Sequence, residues 1–298
     1  MPRVIELDRQ SEPVGVEECA EAIGKIGFDA RNEESLLAVA AQLQALGSNR
    51  MFLGDRLVEL LAGTGGDGPD SAYSPQSIML TAPRDGFFLR ANIWPCENDS
   101  CVRRSGAHNF AYGAPHDHNF DFLTVGYFGP GYRSDYYEYD YGAVAGYFGE
   151  PVELRFIERS TLSPGKLMHY RAHRDVHSQL PPESLSVSLN VMCCDPGQGW
   201  YDQYAFDPDR GTVGEMLSTG STEVLLRIAV AMGGEDATGL AEHWGRTHAS
   251  DRIRLASYEA RAFACSDDEA REEIWRQAEN SGSLLVAKEA AQMRHALG

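Results

Sequence analysis

Apolar residues recur at helical spacing through residues 16–26, 34–46 and 55–61, so the first 65 residues read as helices, with Asn32 and Asp55 as caps. The run Gly63-Thr-Gly-Gly-Asp-Gly-Pro69 then breaks the period and marks a boundary. From about 77 to 207 the pattern shortens to β-type runs separated by Gly, Pro, Asp and Asn. These runs are 77–82, 86–94, 117–127, 132–139, 152–162, 166–171, 176–179, 184–193 and 200–206, enough for two sheets of a sandwich or barrel. Helical spacing returns in 221–232, 237–246, 251–264 and 267–280, with Ser266 and Glu269 as a capping box, and in a last run 283–296. The expected organisation is a helical segment 1–70, a β region 71–210 and a helical region 211–298, without internal repeats.

One strand is especially legible. In 184–192 small polar residues alternate with Leu185, Val187, Leu189 and Val191, so one face packs and the other is polar. A polar face either meets solvent or lines an interior pocket.

Composition narrows the partners. A formal charge of −18 with scattered basic residues excludes a duplex-binding surface. No apolar run approaches the roughly 20 residues that span a bilayer, and the first residues lack the apolar stretch of a secretory signal, so a cytoplasmic location is expected. Cys19, Cys96, Cys101, Cys193, Cys194 and Cys265 form no disulfide framework and read as free thiols.

Candidate chemistry concentrates in residues 114–129, which contain His116 and His118. Two imidazoles one residue apart reach a common ion only from extended backbone, because i and i+2 on a helix diverge by about 200°. If the strand is regular, Phe120, Phe122, Thr124 and Gly126 share their face. A third ligand must come from elsewhere, and residues 162–179 offer His169, His173 and His177.

These two segments resemble the motifs of the cupin superfamily. His116-Asp-His118 stands for its His-x-His, and Pro164-Gly165 followed by a short strand stands for the turn of its second motif. His177 falls where that motif carries its ligand, leaving His169 and His173 as supporting or surface residues. The glutamate that follows His-x-His in cupins is replaced by Phe122. The resemblance therefore implies a three-histidine site and narrows to the thiol dioxygenase group, cysteine dioxygenase and its relatives. Phe87-Phe-Leu-Arg-Ala-Asn-Ile-Trp94, and the stretch from Ser186 to Asp207, look like that group's upstream and closing strands. The similarity covers residues 80–207 and neither helical flank. That group's cysteine would lie near Leu123, and its absence argues against cysteine itself as substrate.

The fold so implied is a cupin β-barrel, a double-stranded β-helix, preceded and followed by helices. Its cofactor would be Fe(II) on His116, His118 and His177, with Zn²⁺, Ni²⁺ and Mn²⁺ as alternatives and Asp121 or Glu138 as candidate added ligands. The expected activity is oxygenation of a small carboxylate-bearing molecule by O₂. The alternatives are a cupin isomerase, lyase or hydrolase using the ion as Lewis acid, and a metal-dependent small-molecule sensor. Arg90 is the candidate carboxylate clamp, Asn190 and Ser188 are candidate substrate contacts, and Tyr136 and Glu138 are candidate proton donors or anchors. The carboxy-terminal helices are candidates for a lid or a homodimer contact.

Overall fold

Asn32 opens a long amino-terminal helix by the mechanism its sequence suggests: its side-chain oxygen accepts the backbone N–H groups of Glu34 and Ser35. The structure, a computed structural model, describes residues 2–7, 12–63, 72–74 and 76–296, with the backbone alone at 72–74. Beyond Gly63, the glycine-rich breaker lies outside the described residues.

Two units divide the chain, the first formed by Met1–Tyr141 with Glu153–Gln198. In chain order its elements are β1 (Arg3–Ile5), α1 (Val16–Ile26), α2 (Glu33–Ser48), α3 (Phe52–Leu61), β2 (Ala72–Ser74), β3 (Ser77–Met79) and β4 (Phe87–Trp94). Then follow α4 (Ser100–Ser105), β5 (Phe122–Phe128), β6 (Arg133–Glu138), β7 (Arg155–Thr161), β8 (Leu167–Tyr170), β9 (Asp175–Leu180) and β10 (Ser186–Cys193). Seven strands form one antiparallel sheet in the order β1-β8-β5-β10-β4-β3-β2, and β7-β6-β9 form a second.

Alternation in the central strands decides what each face of the large sheet meets. Leu89, Ala91, Leu123, Val125, Leu189 and Val191 point to one side and join Val39, Leu43 and Leu46 of α2 with Cys19 and Ile23 of α1 in a single core. The opposite faces of the same strands contribute Trp94, Phe122, Met168, Tyr170 and Met192 to a second core, which also holds Tyr136 of the small sheet. The large sheet is thus covered on one side by helices and on the other by β6. Ser186, Ser188 and Asn190 lie on that inner side, each at most 3% exposed, so the polar face of β10 is interior rather than solvent-facing.

Several sequence expectations shift. The expected strand from 117 begins only at Phe122, and residues 114–121 lie outside any strand, with an isolated bridge at His116 and a bend at Asn119 and Phe120. The cap of α3 is not Asp55, which lies inside the helix. Asn49 Oδ1 instead accepts the N–H groups of Met51 and Phe52. β1, β2 and the short α4 carry too few residues for periodicity to register.

The second unit, Gly142–Val152 with Gly199–Gly298, holds the hairpin β11 (Tyr204–Asp207) and β12 (Thr212–Met216) and five helices. The helices are α5 (Ser221–Met232), α6 (Glu235–Thr247), α7 (Asp251–Ala264), α8 (Asp268–Glu279) and α9 (Leu284–His295). α8 is capped by Asp267, whose carboxylate accepts the Ala270 N–H, rather than by the expected Ser266. Arg252, 3% exposed, donates to Asp202 at 2.8 Å, to the carbonyl of Gly199 at 2.7 Å and to Glu223, tying α7 to α5. Among the described residues, no helix is long and apolar enough to cross a membrane.

Gly126 shows how tightly the first unit is closed. It sits in β5 beside the Ser163-Pro164-Gly165 turn, donates to the Lys166 carbonyl and accepts from the Gly165 N–H at 2.8 Å. A Cβ there would stand 2.2 Å from the Ser163 carbonyl oxygen. Backbone must move to admit it, so Gly126→Ala is expected to lower stability by about 1–3 kcal/mol, measured by urea unfolding.

Candidate metal centre

The imidazoles converge because the backbone makes them. His116 N–H donates to the His177 carbonyl at 3.0 Å and His177 N–H donates to the His116 carbonyl at 2.9 Å. This reciprocal antiparallel pair puts the two side chains on one face of the local ladder. His118, two residues on, returns to the same face, and its carbonyl is held by the His173 N–H at 2.9 Å. Extended geometry is therefore supplied by pairing to β9 and the turn before it, not by a regular strand through the His-x-His.

Nitrogen atoms of His116, His118 and His177 all lie within 4.8 Å of one another. His118 Nε2 and His177 Nε2 face each other at 3.0 Å. Two nitrogens bound at about 2.1 Å to one ion, at right angles around it, stand about 3 Å apart. His116 Nδ1 is at 2.7 Å from the Ala114 carbonyl, so it carries the proton and leaves Nε2 as the donor atom. Burial lowers the pKa of all three rings, against the Ala114 hydrogen bond in the case of His116; neighbouring positive charge lowers two of them further, His116, His177 and Arg90 acting on His118, and His116 and Arg90 on His177. The three are neutral at ordinary pH and present lone pairs. His177 is buried, and His116 and His118 are partly exposed.

The walls follow from strand register. Phe88, Met192, Phe122 and Tyr170 form one cross-strand row over β4, β10, β5 and β8, and Arg90, Asn190, Thr124 and Met168 form the next. A third row holds Asn92, Ser188 and Gly126. Phe122 stands edge-on to His118 with ring centres 5.0 Å apart, so the apolar row is the one beside the histidines. Phe120 packs on the same imidazole at 4.8 Å.

Of the expected substrate contacts, Arg90 and Asn190 are cross-strand neighbours on the inner face, and Asn190 Nδ2 reaches the Arg90 carbonyl at 3.5 Å. Ser188 Oγ accepts the indole N–H of Trp94 at 3.0 Å. Tyr136, opposite His177 in the β6–β9 register, is fully buried and shares a hydrogen bond of 2.9 Å with the Tyr170 hydroxyl. Desolvation raises the pKa of both phenols, so each keeps its proton.

Glu138 is placed differently. Its carboxylate accepts from Arg155 at 2.7 Å, Arg171 at 2.8 Å and Arg174 at 3.5 Å. Burial pushes its pKa up, and hydrogen bonds from Arg171 and Arg155 are among the interactions that outweigh burial and hold it below the usual range. Asp121 accepts from His169 Nε2 at 2.9 Å and from the Ala172 N–H. Among the described residues, neither carboxylate joins the three-histidine cluster. His173 is not part of it either, its ring lying 4.4 Å from that of Tyr141.

Three residues beside the histidines are not singled out by the sequence, and a fourth, Thr124, is expected there only by alternation. Gln179 lies 3.1 Å from His177 Nδ1, and Thr124 Oγ1 is buried without a hydrogen-bond partner. Tyr170 stacks on Phe122 at 4.4 Å. Asp117, between the two histidines and fully buried, accepts the Tyr139 hydroxyl at 2.5 Å. Asp117 and Gln179 stand one and two residues from a histidine, so chain proximity brings them there, whereas Tyr170 arrives by cross-strand register with Phe122, which a single strand's pattern does not contain.

No family model matches the chain, and no curated protein does. Solved structures do overlap with it in part. One, from crystal structures of the DMSP lyases RdDddP and RnDddQII, has 13% identity over 68% of this chain and 84% of its own, with a TM-score of 0.27. The DMSP lyase DddQ from Ruegeria pomeroyi DSS-3 has 10% identity over 64% and 81%, with a TM-score of 0.23. Fe(II)-HppE bound to an alternative substrate has 12% identity over 60% and 99%, with a TM-score of 0.22. Scores of this size do not extend to a shared overall fold, and no reaction is carried over from them.

The ion pairs of Glu138 give it a structural task that can be separated from metal binding. Glu138→Gln is expected to cost about 1–3 kcal/mol of stability in denaturant titration. The dissociation constant for Co²⁺ should stay within twofold of the wild type.

Proposed function

We propose that this chain is a cupin-type enzyme in which His116, His118 and His177 hold Fe(II), and that it oxidises a small carboxylate-bearing molecule with O₂. The observation that carries this reading is the opposition of two imidazole Nε2 atoms at 3.0 Å, with a third imidazole completing the group within 4.8 Å. Converging neutral imidazoles, one of them buried, with lone pairs turned toward one another have little use for them without a cation.

The donor set sets the chemistry. Three neutral ligands leave a divalent ion its full charge, and occupy only half of an octahedron. Bound there, Fe(II) would supply open positions for substrate and O₂. The carboxylate of the two-histidine, one-carboxylate triad is absent, since Phe122 stands at its place in the motif and fills the space beside His118. That argues against a 2-oxoglutarate mechanism.

The protein's own part is to orient and to exclude water. Arg90, Asn190 and Thr124 form a polar row two residues along the strands from the apolar row at the histidines, a step of about 7 Å. A substrate with its anionic end at Arg90 would lay an apolar body across Phe122, Met192 and Phe88, with its reacting group toward the histidines. Buried Tyr136 and Tyr170 bring one hydroxyl pair near this space, and protonated phenols donate rather than accept there.

Oxygen uptake tests the activity. The anaerobically purified, Fe(II)-loaded protein should consume O₂ when given small apolar carboxylic acids or amino acids. Turnover without O₂ would instead favour an isomerase, lyase or hydrolase using the ion as Lewis acid. His177→Ala should lose bound metal by elemental analysis while His173→Ala retains it; the reverse pattern rejects the ligand assignment. Arg90→Lys should keep metal content and raise KM by about tenfold, because an ammonium cannot reproduce a two-bond carboxylate clamp. Unchanged kinetics would remove Arg90 from the substrate.

A further inference from the structure

We infer that the turn between β8 and β9 is a backbone clamp that sets the place of His118, and that it needs the left-handed conformation at residue 173. His173 is then a positioning residue of the metal centre, acting through its main chain; this rests on the ligand assignment proposed above. Its φ is 59°, in a region that few residues with a side chain enter. Its N–H donates to the His118 carbonyl at 2.9 Å. The N–H just before it, of Ala172, donates to the Asp121 carboxylate at 3.4 Å. The turn thus grips the His-x-His segment at two points, one at a proposed ligand and one three residues beyond it.

Successive N–H groups of extended backbone point to opposite sides, whereas a turn that passes into the left-handed region brings them to one side. That is the arrangement at 172 and 173. Residues 114–121 belong to no strand, so no ladder runs through His118, and the His173 N–H takes that part. The shape of the turn is held from its own base. Asp175, 1% exposed, accepts the Arg171 backbone N–H at 2.8 Å and its guanidinium at 2.6 and 2.9 Å. The His173 ring lies against Tyr141 at 4.4 Å and is not a member of the three-histidine cluster. What the clamp needs at 173 is therefore a backbone shape and not an imidazole. Glycine adopts that shape freely, and a β-branched residue resists it.

Co²⁺ binding to the purified full chain, followed by its visible absorption and by chelator competition, tests the inference without reference to turnover. His173→Gly is expected to bind within twofold of the wild type and with the same spectrum. His173→Val is expected to bind 10- to 100-fold more weakly and with an altered spectrum. Equal affinity of His173→Val and wild type overturns the positioning role and leaves the metal site standing. Equal weakening by both variants also overturns it, since the imidazole rather than the backbone shape would then matter. A wild type that binds no Co²⁺ overturns both this inference and the site itself. Should His173→Val fail to fold, amide hydrogen exchange in the wild type decides. The His173 amide should exchange at least tenfold more slowly in the Zn²⁺-loaded protein than in the metal-free one, because an ion that fixes His118 also fixes the carbonyl this amide binds. Equal rates in the two forms overturn the coupling.

Discussion

The reciprocal hydrogen bonds between the backbones of His116 and His177 are the constraint on which the site depends. His118 and His177, 59 positions apart, would otherwise meet only by side-chain attraction, and neutral imidazoles attract one another weakly. Pairing backbone with backbone fixes the two side chains at cross-strand distance before any ion enters. His118 follows from its offset of two, with its carbonyl held by His173. Metal affinity then need not supply the ordering entropy of three rings, which is the advantage of a preformed site over one folded by its ion.

Electrostatics and packing reinforce this arrangement. Desolvation and the Arg90 guanidinium both disfavour protonated imidazole, so the rings that geometry brings together are also the neutral ones. Like charge repels Arg90 from a divalent ion as well. An anion between them would relieve that repulsion, which is the electrostatic basis of the proposed anionic substrate. The aromatic row of Phe88, Phe122 and Tyr170, with Met192, keeps the dielectric low around the histidines and strengthens each of these terms.

The helices of both ends and the core strands were legible because each repeats one period over many residues. Alternation in β10 identified its apolar face, and the three histidines that converge could be named because two stand one residue apart and the resemblance of the Pro164-Gly165 turn points to the third. What escaped depends on neighbours in space. The His-x-His segment looked like the start of β5 because aromatic and β-branched residues follow it, yet the strand begins only at Phe122 and the histidines take their extended form from β9. Glu138 alternates correctly with Tyr136 in sequence, but a register shift after Tyr136 in the pairing with β7 and three arginines from other segments direct its carboxylate into an ion-pair network. The polar residue that touches His177 is Gln179, a type with no spacing signature.

Phe122 explains why a carboxylate could be dispensed with at this centre. A glutamate there would lie edge-on to His118 in a row otherwise made of Phe88, Met192 and Tyr170, and its desolvation would be offset only while an ion was bound. Phenylalanine removes that penalty, stacks on Tyr170 at 4.4 Å and packs edge-on against the His118 ring at 5.0 Å. The exchange leaves one fewer negative charge at the ion. With no carboxylate at this place, charge balance at a divalent ion held by the proposed ligands would have to come from what binds.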